Sequence, residues 1–99
     1  MVLDELRRGA VRLHILHHAT QGEIHGAWMA DELARHGHGI SPGTLYPALH
    51  RMEEVGLLTS TRRVVEGKMR RLYRATAKGR RELAAARGVL AELADEVLG

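Results

Sequence analysis

The stretch that decides the fold runs from Ser41 to Leu58, SPGTLYPALHRMEEVGLL. Ser41 suits the position before a helix, where a short polar side chain can accept a backbone N–H. Pro42 suits the first helical residue, whose own N–H has no partner to lose. Gly56 follows the last apolar residue as a stop, because glycine enters the left-handed region at no steric cost. The spacing predicts a helix from about Pro42 to Val55. Leu45, Leu49, Met52 and Val55 form one buried stripe, and Thr44, Tyr46, Pro47, His50 and Arg51 lie toward other faces.

Pro47 stands inside this helix, where it deletes one backbone hydrogen bond and presses on the carbonyl of Gly43, at a typical cost of about 3 kcal/mol. The residue before a proline resists the α region, so Tyr46 is expected in a distorted first turn with its side chain displaced outward. The tip from Pro42 to Tyr46 then offers free N–H groups, the positive end of the helix dipole, two hydroxyls (Ser41, Thr44) and a phenol (Tyr46). Such a surface suits phosphate.

Upstream, a first helix is expected from about Leu3 to His18, with Leu6, Ala10, Leu13 and Leu16 buried and Val11 and Ile15 flanking them. A second helix spans about Ala27 to His36 and buries Trp28 or Met29 with Leu33. Downstream, Leu57 to Val65 and Arg70 to Thr76 read as the strands of a hairpin, separated by Glu66, Gly67, Lys68 and Met69. Alternation puts Arg71, Tyr73 and Ala75 on one face and Leu72, Arg74 and Thr76 on the other. Thr76 then caps a last helix running to Leu98, in which Leu83, Ala86, Leu90, Leu93 and Val97 recur at heptad-like spacing. Five seam residues exceed what three short helices and a hairpin need to cover. A second chain is therefore expected on this seam, the alternative being a helix docked on its own chain.

Three helices followed by a two-stranded ribbon give a mainly α (α+β) fold, a winged helix-turn-helix with a C-terminal dimerisation helix. Residues 1–76 form the DNA-binding domain and residues 77–99 the dimerisation helix. In that architecture the third helix enters the major groove and the wing lies along the backbone or minor groove.

Charge agrees with this reading. The chain carries a formal +3, yet Leu57 to Arg81 alone holds nine Lys and Arg against one acid, which leaves the remainder at −5. A local basic surface attracts a polyanion while the acidic remainder discourages indiscriminate binding. Ninety-nine residues at 44% apolar content support one small core, which a second chain would enlarge. There is no cysteine, so disulfides, thiolate metal sites and a cysteine nucleophile are excluded. No run approaches the roughly eighteen apolar residues of a membrane span, and Asp4 and Glu5 interrupt any secretory pattern, so a cytoplasmic protein with no membrane partner is expected.

Several of these residues together resemble the PadR-like transcription regulators: His25 with Gly26, the run SPGTLYPAL from Ser41 to Leu49, Arg51 and Glu53, Gly56 to Leu58, and Arg70 to Thr76 followed by Gly79. The resemblance covers about residues 10 to 83, and the single helix after the wing is similar to the shorter members. It implies a homodimer that binds a palindromic operator in double-stranded DNA, usually as a repressor, and is released when an effector binds. Carried over by position, Ser41, Thr44, Tyr46 and His50 or Arg51 would contact DNA from the helix. Lys68, Arg70 and Arg71 would do so from the wing, and Tyr73 would be packing beneath it.

Seven histidines are many for this length, and His14 with His18 at i and i+4 can place two imidazoles on one divalent ion. No cofactor is required by the reading, but zinc held by two or three imidazoles, His14 and His18 with His17 adjacent and His25 just beyond the turn, plus a carboxylate such as Glu23, would make the regulator metal-responsive. The same residues can instead fill partly buried positions and cap the helix end, or act as a protonation switch near pH 6. Catalysis is not expected, since Ser41 lacks a strand-turn-helix elbow and a base partner and no glycine-rich phosphate loop is present. The remaining alternative is a winged-helix module that docks an acidic protein.

Overall fold

The computed structural model describes residues 1–99 and orders the chain as α1 (Val2–Gln21), α2 (Gly26–Arg35), α3 (Pro42–Glu54), β1 (Leu58–Val65), β2 (Lys68–Ala75) and α4 (Ala77–Leu98). The architecture is the winged helix-turn-helix expected from the sequence, with α1 running one turn further than its periodicity suggested.

Helix α3 ends for the reason its flanks indicate. Gly56 takes φ +84°, and two hydrogen bonds close the turn, Gly56 N–H to the Glu53 carbonyl at 3.0 Å and Leu57 N–H to the Met52 carbonyl at 2.9 Å. This is the reciprocal pairing that satisfies the last carbonyls of a helix. At the other end the Ser41 carbonyl accepts from both Thr44 and Leu45 N–H at 2.9 Å. The Ser41 hydroxyl, however, makes no backbone cap and lies 3.3 Å from the Thr44 hydroxyl. The distorted first turn expected from Pro47 is not found. The helix runs through Pro47 without interruption, the residue whose carbonyl the ring faces being Gly43.

The core gathers Val11, Ile15, Leu16 and Ala19 from α1, Met29 and Leu33 from α2, Leu45, Leu49 and Met52 from α3, Leu58, Tyr73 and Ala75 from the hairpin, and Leu83 from α4. One expectation is corrected and one open alternative is resolved. The buried stripe of α1 is turned toward Val11 and Ile15, leaving Leu6 54% exposed and Ala10 and Leu13 half-buried. Apolar residues cover a wide arc of α1, and the elements packed against it decide which edge faces the core. In α2, Met29 is buried while Trp28 stays largely exposed, its ring edge-on to His18 with centroids 5.1 Å apart.

The strands pair antiparallel from Leu58↔Ala75 to Val65↔Lys68. Glu66 and Gly67 alone make the turn, with φ of 51° and 79°, so Lys68 and Met69 belong to β2 rather than to a four-residue connection. Two successive left-handed residues give the tight turn whose twist matches that of the strands. On the other edge of β2, Ile24 and Tyr73 exchange two backbone hydrogen bonds, at 2.9 and 2.7 Å. Tyr73 is thereby sealed beneath the wing, and Leu72 on the opposite face is buried as well.

Thr76 caps α4 as expected, accepting from Gly79 N–H at 3.0 Å while its own hydroxyl donates to the Gly56 carbonyl at 2.5 Å. One residue thus ties the end of α3 to the start of α4. Gly79 is buried, and a Cβ there would run into the Leu57 carbonyl. Beyond Leu83 the helix leaves the core, and no residue after Ala86 is buried. No helix is long and apolar enough to cross a membrane. Gly79→Ala should therefore overpack this junction and lower unfolding stability by about 1–3 kcal/mol. Denaturant titration checks this, and an unchanged midpoint would show that the junction relaxes freely.

Candidate nucleic-acid interface

The exposed arc of α3 carries Ser41, Thr44, Tyr46, His50 and Arg51, every helix residue expected to contact DNA. Tyr46 is not thrown outward. Its ring edge lies over Gly26, where a Cβ would overlap the phenol carbons. The His25–Gly26 pair thus has a physical role: Gly26 admits the ring, and His25 Nδ1 accepts from Trp28 N–H at 3.3 Å to cap α2. Tyr46 is held there with 40% of its surface exposed.

Between α3 and the wing lies a cavity of about 270 Å³ lined by Tyr46, His50, Arg70 and Arg71, together with His25 and Tyr73. Groups far apart in the chain, from the helix and from the wing, therefore border one concavity. Lys68 opens β2 beside the exposed turn. The register sets Arg62 opposite Arg71 and Arg63 opposite Arg70. Like charges directly opposite one another destabilise a hairpin, and neighbouring carboxylates relieve part of that repulsion. Arg63 and Arg74 share Glu23 at 2.7 and 3.4 Å, and Arg71 lies 3.7 Å from Glu53 and 3.3 Å from the Ser60 hydroxyl. The Arg63 hydrogen bond, with Arg74 nearby, holds the Glu23 carboxyl below the usual carboxylate range. Arg62, Lys68 and Arg70 have no ion pair, and with them the wing presents uncompensated charge to a polyanion.

A second basic concavity lies along the other edge of α3, between it and α1, lined by Arg7, Arg8, Arg12 and Arg51. The net −5 outside the wing segment concealed it, because a tally along the chain does not register which arginines converge in space.

The expected metal pair is embedded in a larger group. His14 lies 6.4 Å from His18, 5.1 Å from His36 and 5.0 Å from His38, measured between ring centroids. Buried Glu32 organises the group, with His18 Nε2 at 3.2 Å, His36 Nε2 at 3.1 Å and Arg35 paired alongside. Glu23 and His25, the ligands expected to complete a zinc set, are engaged with Arg63 and with the α2 cap. No three His, Asp or Glu side chains are arranged to hold a metal ion. The cluster spans α1, α2 and the loop before α3.

Burial, reinforced by the neighbouring His38, His36, His18 and His17, lowers the His14 pKa. Burial also lowers that of His18, against the pull of Glu32. The hydrogen bond from Arg35 keeps Glu32 ionised to more acid pH than an ordinary glutamate. An imidazole that protonates less readily in the folded chain contributes stability that is complete above its unfolded pKa of about 6.5 and is lost as pH falls from there toward the folded value. The urea midpoint should therefore be flat just above neutrality and decline below about pH 6.5. His14→Gln should make that decline shallower. An identical pH profile in the variant would remove His14 from the account.

The model of the transcriptional regulator PadR-like family matches residues 15–85 of the chain. Over 97 residues the chain is 62% identical to transcriptional regulator Rv3488 of Mycobacterium tuberculosis (strain ATCC 25618 / H37Rv), an overlap that covers 98% of this chain and 91% of that protein. Among solved structures, a PadR family transcriptional regulator from Eggerthella lenta DSM 2243 superposes with a TM-score of 0.83 at 34% identity, covering 97% of this chain and 85% of that one. A PadR-like transcriptional regulator from Bacillus cereus strain ATCC 14579 gives a TM-score of 0.79 at 27% identity, covering 95% and 96% of the two chains. With the family's fold present and its motif residues placed on the exposed helix and wing, the chain is a transcriptional regulator rather than an enzyme, and it belongs to the PadR-like family.

Proposed function

We propose that the chain is a cytoplasmic, homodimeric, sequence-specific repressor that binds a palindromic operator and is released from it by an effector. The observation that carries this reading is the single concavity where Tyr46 and His50 of α3 meet Arg70 and Arg71 of the wing. A recognition helix supplies hydroxyl, phenol, imidazole and guanidinium groups for base edges and phosphates, and the wing beside it supplies backbone contacts.

A second copy of the chain is favoured by the surface that α4 leaves uncovered. Leu83 is consumed by the core and Ala86 is half-buried, so the seam open to a partner begins at Leu90 and continues through Leu93 and Val97, all exposed. Leu90 also lines an apolar groove of about 470 Å³ between α1 and α4, together with Leu6, Ala10 and Leu13. An apolar strip of this length on a small domain is costly to leave in water, and a two-fold related copy would cover both strips at once. That pairing would also set two recognition helices on one face of a duplex, about one helical turn apart.

Replacing Arg70 and Arg71 by Ala should weaken binding to all sequences and flatten the dependence of log K on log salt, by about 0.9 for each phosphate no longer neutralised. A double variant with parental affinity and slope at the chain's own upstream region would mean that the wing does not touch DNA. A parent that shows no sequence preference there would favour docking of an acidic protein instead. Leu90→Ala with Leu93→Ala should shift sedimentation from dimer toward monomer near the dissociation constant. An unchanged sedimentation coefficient would place the dimer contact elsewhere.

A further inference from the structure

Six of the chain's Lys and Arg residues lie outside Leu57 to Arg81, and four of them converge. Arg7, Arg8 and Arg12 of α1 and Arg51 of α3 line one cleft of about 790 Å³, with Thr44 and His38 at its border and no acid in its lining. None of the four has a carboxylate partner, in contrast to Arg63, Arg71 and Arg74 of the wing. The hydrogen bond that Arg12 makes goes to the Arg8 carbonyl at 3.3 Å and leaves both charges uncompensated. The loop that borders the cleft is fixed. Gly37 at φ +78° closes α2 through Gly37 N–H to the Ala34 carbonyl at 3.1 Å and His38 N–H to the Leu33 carbonyl at 2.8 Å.

The position of the cleft identifies what it would hold. Tyr46 and His50 mark the edge of α3 that faces the wing, while Thr44, Pro47 and Arg51 mark the opposite edge, which faces α1. A helix lying in the major groove has a phosphate strand on each side, because the groove is only about 12 Å wide. The wing can reach one strand. We propose that the arginines of α1, with Arg51, form a second phosphate-binding surface that grips the other strand, so that α3 is clamped from both sides. This inference rests on the DNA-binding function proposed above. Arg8 and Arg12 stand one turn apart, about 6 Å along the helix axis, a step that suits successive phosphates of one strand. Guanidinium forks bind phosphate oxygens in pairs, which a lone lysine charge does not do.

The test uses the full chain with Arg7, Arg8 and Arg12 all changed to Gln, and a second variant with all three changed to Lys. These side chains are exposed and unpaired, and thermal melting checks that both variants fold. For the Gln variant the slope of log K against log salt should fall by about 0.9 for each phosphate released per protomer, on specific and random DNA alike, and the Lys variant should recover most of it. Phosphate-ethylation interference on the parent should show two clusters of essential phosphates per half-site, one of which disappears in the Gln variant. A Gln variant with the parent's slope and both clusters would overturn the inference. If inorganic pyrophosphate bound the parent but not the Gln variant while the salt slope stayed the same, the cleft would hold a small anion and the backbone assignment would also fail. A parent that binds no DNA would instead remove the function on which the inference rests.

Discussion

The pair of backbone hydrogen bonds between Ile24 and Tyr73 is the constraint on which the rest of the interface depends. A two-stranded hairpin is marginal on its own, and this one carries arginine opposite arginine in two consecutive pairs. It is held by its root. Ile24 closes the second edge of β2 just where the α1–α2 connection passes, and Tyr73 is buried at the same residue. The wing therefore leaves the body at a fixed angle, and its direction places Arg70 and Arg71 across a cavity from Tyr46 and His50. At the base of β2, Thr76 repeats this logic by bonding at once to Gly56 and to the first turn of α4.

The electrostatics run against stability, and their distribution is informative. Within the wing, Arg63 and Arg74 pair with Glu23 and Arg71 with Glu53. Arg62, Lys68 and Arg70, and the arginines of the α1–α3 cleft, are left unpaired. Exposed ion pairs contribute little to folding, so the pairing of Arg71 with Glu53 and Ser60 acts chiefly to aim a guanidinium. The unpaired groups are held at close range without compensation, which an arriving polyanion would relieve. Binding is then favoured both by the contacts made and by the repulsion removed.

Much of this is legible in the sequence because it is encoded locally. Gly56 ends α3, Thr76 opens α4, and the stripe of Leu45, Leu49 and Met52 marks the buried side of the recognition helix, each from residues within a few positions of one another. What the sequence misleads on depends on contacts between distant segments. Tyr46 looks displaced until Gly26 is seen beneath its ring. The stripe of α1 can be oriented only once the elements packed against it are in place. The turn is shorter by two residues than its composition suggests because Glu66, a residue that seldom takes a left-handed conformation, does so here. The arginine cleft and the ring of histidines around Glu32 are assembled from α1, α2, α3 and the loop between them, and no window along the chain contains them.

Helix α1 is where these separate features meet. Val11, Ile15 and Leu16 enter the core, Leu6, Ala10 and Leu13 line the groove against α4, and Arg7, Arg8 and Arg12 line the cleft beside α3. His14 and His18, one and two turns further on, touch the group organised by Glu32. In a dimer built on α4 and the exposed edge of α1, the arginines of one protomer would be carried by the same rigid helix that forms the interface. The separation of the two arginine clefts would then be set directly by the dimer contact, whereas the separation of the two wings would also depend on the Ile24–Tyr73 junction. A small rotation at the dimer interface would move the two phosphate surfaces by different amounts, so half-site spacing would be read first by α1 and only then by the wing.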